Sequence, residues 1–108
     1  MPQRPEDIPK TWIVHSIIRK IQKAKPELQR RYPIKEIAIF GSFARNEQTE
    51  ESDLDILVAF ERPIGWDVID LKDELEDILN RSVDLVLKGG VATRPRLMSY
   101  IEKDAIYA

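Results

Sequence analysis

Cysteine is absent from the 108 residues, and histidine occurs once, as His15. Disulfides, thiolate zinc sites and a cysteine nucleophile are therefore excluded, and a lone histidine cannot build a histidine-rich zinc site. Any resident metal must be a hard ion held by oxygen. No apolar run approaches the roughly 20 residues that a membrane-spanning helix needs, and the opening MPQRPEDIPK has no apolar stretch of the signal-peptide kind. The expectation is a soluble, cytoplasmic protein. A large excess of one charge sign is also missing. Lys and Arg number 17 against 19 Asp and Glu, a formal balance of −2, which argues against a chain that coats nucleic acid.

The balance conceals an asymmetry. Residues 1–35 carry nine basic and three acidic side chains, whereas the remainder carries eight and sixteen. With 43% hydrophobic residues, a chain of this length can bury one core but not two. Residues 1–10, with three prolines and alternating charges, read as a flexible lead-in, and residues 11–108 as a single domain.

From Thr11 the pattern is helical. Ile13, Ile17 and Ile21 recur every four residues, Val14 and Ile18 widen the stripe, and Arg19, Lys20 and Lys23 lie opposite. Pro26 ends or kinks this helix, and a short turn with Leu28 and Tyr32 follows before Pro33. Residues 34–40, IKEIAIF, form a buried strand that stops at Gly41-Ser42, and 46–52 form a polar loop. A second strand, LDILVAF, spans 54–60. Residues 66–79 make a helix with Val68, Leu71, Leu75 and Ile78 inward and an acidic outer face. SVDLVL, 82–87, is a third strand stopped by Gly89-Gly90, and Thr93 can cap a last helix with Pro95 in its first turn. The order helix, strand, strand, helix, strand, helix suits an α/β or α+β fold, a small mixed sheet covered by helices in two layers.

Carboxylates stand where strands disfavour them. Asp53 and Asp55 lie two apart at the mouth of an apolar strand, so their side chains share a face with Cα atoms ~7 Å apart. Like charges so placed repel, and a cation is what most readily holds them together. Asp84 is a lone acid inside SVDLVL. Should its strand lie beside that of the pair, backbones ~4.8 Å apart bring up a third carboxylate. Three carboxylates without His or Cys describe an oxygen site for Mg²⁺ or Mn²⁺.

The turn Gly41-Ser42-Phe43-Ala44-Arg45 precedes these acids. Glycine after a buried strand lets the backbone bend and a ligand approach closely. Ser42 can cap a short helix whose N–H groups form an anion site, and Arg45 can add a guanidinium to a phosphate oxygen. Phosphate donors and metal-holding carboxylates then meet at one end of the sheet, which is the equipment of a nucleoside triphosphate site.

The joint pattern G-S-x-A-R, then after six residues S-D-x-D-x-x-V, resembles the signature of the polymerase-beta-like nucleotidyltransferase superfamily. It is carried here by Gly41 to Arg45 and by Ser52 to Val58. With Val83-Asp84-Leu85-Val86 as third motif and a closing IEKDAIY, the chain is similar from about Tyr32 onward to the minimal nucleotidyltransferases of the MntA-like antitoxin group. The resemblance implies that Gly41 and Ser42 cradle a triphosphate, that Asp53 and Asp55 hold two Mg²⁺ ions, and that Asp84 completes the metal site and helps deprotonate the attacking hydroxyl. One departure is Asn46, where the family usually has glycine. Asparagine tolerates the left-handed conformation, so the turn should survive.

Larger members of the superfamily carry an acceptor-recognition domain for which 108 residues leave no room. The resemblance implies instead a protein partner, a HEPN-domain toxin, to whose hydroxyl, typically a tyrosine, AMP passes from ATP. Two other readings stay open: an antitoxin that neutralises its toxin by binding alone, and a nucleotidyltransferase acting on a small molecule. The acidic face of 67–77 reads as solvated, the basic helix face of 19–31 as packed on the domain, and Trp12 and Trp66 as core or rim residues with partner anchoring as the alternative. His15 receives no catalytic role.

Overall fold

The computed structural model describes residues 10–108. The lead-in expected over 1–10 therefore falls, up to residue 9, outside the described residues, and Lys10 already belongs to a helix. Helix α1 (Lys10–Arg31) is followed by strand β1 (Ile34–Phe40), the short helix α2 (Gly41–Ala44), β2 (Leu54–Phe60), α3 (Asp67–Leu79), β3 (Val83–Leu87), α4 (Lys88–Val91), α5 (Pro95–Asp104) and β4 (Ile106–Tyr107). No helix among the described residues is long and apolar enough to cross a membrane.

The four strands lie in the order β3-β2-β1-β4. β1 is antiparallel to both β2 and β4, and β2 is parallel to β3. The parallel pair is possible because α3 spans the length of a strand and returns the chain to the same end of the sheet.

Strand alternation separates two apolar faces. Ile37, Ile39, Ile56 and Val58 point to the side where α1 supplies Ile17, Ile21 and Leu28 and α3 supplies Leu71, Leu75 and Leu79. Each of these wholly buried side chains contributes about 2 kcal/mol of burial. Ala38 and Leu57 point the other way, against Val91 of α4 and Ile101 of α5. Helices therefore cover both faces, and the two-layer expectation is corrected to a sheet with a large core on one side and a small one on the other. The reason lies in the strands themselves, which are apolar at nearly every position and so cannot leave either face to water.

Other differences are local. Pro26 lies inside α1, because Leu28 and Tyr32, 1% and 8% exposed, anchor the helix beyond it in the core. Gly89 and Gly90 sit within α4. Thr93 does not cap the last helix; its hydroxyl donates to the Gly90 carbonyl at 3.0 Å and Arg94 occupies the cap position. The chain end adds the unexpected edge strand β4, fixed by the Ala108 N–H on the Ile37 carbonyl at 2.9 Å. Trp12 and Trp66 are 63% and 86% exposed rather than packed. Of the acidic helix face, Asp67, Asp70, Asp73 and Asp77 are exposed, while Glu74 accepts hydrogen bonds from Arg31 and Tyr32 and joins α3 to α1.

Candidate active site

One end of the sheet gathers the chemistry. Where β1 finishes and both β2 and β3 begin, Phe40 pairs with Asp55 and Asp55 pairs with Asp84. By the twofold period of a strand, Asp55 lies on the same face as Leu57, and Asp84 on that of Val86, which is the side covered by α4 and α5. The parallel register that brings Asp84 beside Asp55 is anchored at its entry by the Leu54 N–H on the Ser82 carbonyl, at 2.9 Å.

Gly41 closes in on this pair from β1. It adopts φ +72°, which side-chain-bearing residues rarely do, and a Cβ placed there would run into Oδ2 of Asp55 and stand 3.0 Å from its Cγ. The close approach foreseen at this glycine is thus to a carboxylate. α2 starts at once, with Phe40 rather than Ser42 in the cap position and, among the described residues, no side-chain hydrogen bond at that cap. The expected capping role of Ser42 is corrected accordingly: the residue sits second in the helix, and its carbonyl accepts the Glu47 N–H at 2.8 Å. Phe43, 2% exposed, locks the helix onto the core, which forces the preceding serine into the helical turn. Asn46 takes the left-handed conformation at φ 61°, as its residue type allows.

Arg45 leaves α2 engaged with carboxylates. Its guanidinium reaches Glu47 at 3.3 Å and Asp104 of α5 at 3.4 Å. The pair ties the α2 turn to the last helix, and the positive charge also favours the ionised form of Asp55.

Asp55 is the perturbed acid of the site. Its carboxyl is pushed up to about 6, first by burial, then by the charge of Asp84 and a hydrogen bond with it, and then by Asp53. Like-charged carboxylates in a half-buried setting resist joint ionisation. Asp53 is exposed on the loop side of Leu54. Asp55 and Asp84 are therefore neighbours in the parallel register, with Asp53 acting on Asp55 through its charge. Among the described residues no three such side chains form a ready-made metal cluster, since like charges repel and Asp53 has water to turn to. The donor set nonetheless fits a hard cation: all its ligands are carboxylate oxygens, and their mutual repulsion is what a divalent ion relieves.

Several residues of this region escaped sequence reasoning. Gln48, in a run that reads as a solvated loop, is 5% exposed, and among the described residues neither of its amide atoms is hydrogen-bonded. It lines a cleft of about 710 Å³ with Asp53, Arg81 and Ser82. Nothing in NEQTEES distinguishes this glutamine from its neighbours. Asp104 had a faint signal as the acid of the closing IEKDAIY, although its partner Arg45 lies 59 residues away.

Comparison with known proteins identifies the family and the fold. Residues 21–108 match the nucleotidyltransferase domain family. The chain is 50% identical over 88 residues to a candidate protein adenylyltransferase of Methanocaldococcus jannaschii, covering 81% of this chain and 89% of that protein. It is 46% identical over 68 residues to the protein adenylyltransferase MntA of Thermococcus cleftensis, covering 62% of this chain and 69% of that one. A solved minimal nucleotidyltransferase superposes with a TM-score of 0.71 at 37% identity, across 86% of this chain and 93% of the other. The fold recurs, at 20% identity and a TM-score of 0.55, in a chain of the Shewanella oneidensis complex between a tri-AMPylated HEPN toxin and its MNT antitoxin, across 91% of this chain and 70% of that one.

Proposed function

The chain belongs to the nucleotidyltransferase domain family, and from that premise we propose that it transfers AMP from ATP to a hydroxyl, a tyrosine, of a HEPN-domain toxin and so acts as its antitoxin. The observation that carries the reading is the Asp55–Asp84 register pair set against Gly41 at the start of α2. Support for AMP as the transferred group comes from the names of the relatives, protein adenylyltransferases of 46 and 50% identity. Support for a toxin partner comes from two solved complexes that share the fold, a toxin-antitoxin pair containing MntA and a HEPN toxin with its MNT antitoxin.

In this reading the backbone N–H groups of α2 and the Ser42 hydroxyl bind phosphate oxygens, helped by the helix start, and Arg45 contributes charge beside them. Asp53, Asp55 and Asp84 would hold two Mg²⁺ ions, which supply positive charge to the α-phosphate and to the leaving pyrophosphate. The chain's own work is positioning and proton management. The acceptor oxygen forms a bond to the α-phosphorus as the bond from that phosphorus to the bridging oxygen breaks. Pyrophosphate departs with the electron pair, and the hydroxyl proton passes to a carboxylate oxygen of Asp84. Asp84 suits that task by position, since it stands in register beside Asp55 at the start of the parallel pair.

Intact mass of the partner after incubation with ATP and Mg²⁺ tests the proposal. An increase by one or more AMP units, lost in Asp55→Asn and Asp84→Asn, supports it. Inhibition of the toxin at unchanged mass overturns transfer in favour of masking by binding alone.

A further inference from the structure

The cleft beside Asp53 has a chemistry unlike that of the phosphate cradle. It opens between Ile13 near the start of α1, the loop of residues 48–53, and Arg81-Ser82 at the entry to β3. Glu50, Glu51 and Asp53 line it, a set of charges that disfavours a polyanionic nucleotide and favours a cationic guest. Arg81, which also lines it, lies with its guanidinium 5.1 Å from the centroid of the Phe43 ring.

Gln48 gives the cleft its second, independent feature. Its amide is withdrawn from water, and among the described residues neither its oxygen nor its nitrogen has a hydrogen-bond partner. Buried amides are nearly always paired, because desolvation without a partner is unfavourable. A glutamine offers an acceptor oxygen and N–H donors in one plane, the complement of the C=O and N–H of a peptide group. Ile13 and Phe43 add apolar wall. Of the three candidate carboxylates the cleft is lined by Asp53, which stands two residues before Asp55 at the mouth of β2.

We propose that this cleft seats the acceptor-bearing segment of the partner protein: a basic stretch of polypeptide whose backbone pairs with the Gln48 amide and whose positive charges face Glu50 and Glu51. Its hydroxyl is thereby delivered past Asp53 to the Asp55–Asp84 pair. The proposal deepens the AMP-transfer reading and rests on it for the fate of the hydroxyl, but not for the binding itself.

Two fluorescent tyrosine peptides serve as probes, one flanked by arginine and lysine and one by glutamate. Their affinity for the full chain is read by anisotropy, and that of AMP-PNP by calorimetry. The wild type should bind the basic peptide about tenfold more tightly than the acidic one, and E50K/E51K should reverse the order. Gln48→Leu should weaken the basic peptide about tenfold while leaving AMP-PNP unchanged. Its melting temperature should not fall, because the variant removes an unpaired buried amide; the exposed Glu50 and Glu51 carry the test in any case. Equal affinity for both peptides, or variants that change AMP-PNP binding instead, overturns the assignment, the latter by giving the cleft to the nucleotide. Labelled AMP incorporation is scored separately. A bound peptide that accepts no AMP leaves the cleft standing and removes the transfer reading. Transfer to the peptide that is indifferent to both variants does the reverse.

Discussion

Gly41 lies so close to Asp55 that the space a methyl group would need is filled by a carboxylate oxygen. Backbone and acid come from different elements, α2 and β2, and their contact sets the turn after β1 directly against the carboxylate pair. Gly41→Ala should therefore act twice. The left-handed φ of +72° penalises any side chain by about 1 kcal/mol, and the new methyl displaces Asp55. A shift of that size at a reacting centre lowers transfer on the order of 100-fold. Circular-dichroism melts and initial rates of AMP incorporation check both effects, and a variant that melts lower yet keeps wild-type rates would contradict the coupling.

Asp55 makes the metal-free protein sensitive to pH in an unusual direction. Its folded carboxyl titrates near 6, above the ordinary value of 3.8, so the folded state binds the proton more tightly than the unfolded state does. The group's contribution is fully present below the ordinary value and is lost as pH rises through 6. Asp55→Asn should consequently raise the melting temperature in chelator at pH 8 and have little effect at pH 4. Allowing for solvent screening of a half-buried group, the gain at pH 8 is about 1 kcal/mol. Mg²⁺ with ATP should stabilise the wild type more than the variant.

Glu76 acts in the opposite sense at the strand that carries Asp84. Its carboxylate accepts the Val83 N–H at 2.9 Å and pairs with Lys72 at 3.4 Å. The backbone N–H first, and the lysine after it, hold its pKa below the usual 4.5. The stability it confers is present above 4.5 and is lost as pH falls through the depressed value. Glu76→Ala should lower the urea midpoint at pH 7 and show a smaller further loss on acidification than the wild type. Equal acid sensitivity in the two proteins would count against this role.

Legibility followed the range over which each interaction acts. β1 and β2 ran where the apolar runs placed them, 34–40 and 54–60, because a strand buried on both faces writes itself into consecutive residues. The association of Asp84 with Asp55 was readable as a conditional, since a lone acid in an apolar strand needs a reason, but the register depends on α3 and could not be read locally. The alternation of Ala38 and Leu57 against Ile37 and Ile56 hid a second, smaller core under α4 and α5, because both faces are apolar. Gln48 was invisible, and Asp104 only faintly marked, for another reason: what sets them apart is a partner, or the lack of one, contributed by distant parts of the chain.

Pro26 is where a local rule gave way to packing, and it supplies the last prediction. A proline in a helix interior donates no N–H to the carbonyl one turn back and crowds it, at about 3 kcal/mol relative to alanine. α1 nevertheless continues to Arg31. The continuation is held by Leu28 in the core, by the Tyr32 hydroxyl and the Arg31 guanidinium on Glu74, and by Lys25 on the Ala108 carbonyl at 3.0 Å. Pro26 itself is exposed, so alanine there removes no core contact. The unfolded chain also gains freedom when proline is lost, which offsets about 1 kcal/mol of the benefit. Pro26→Ala should thus stabilise the fold by about 1–2 kcal/mol, seen as a higher urea midpoint with an unchanged slope. Leu28→Ala should destabilise it by about 3 kcal/mol. If proline removal lowered the midpoint instead, the helix beyond residue 26 would owe its course to the proline and not to the core beneath it.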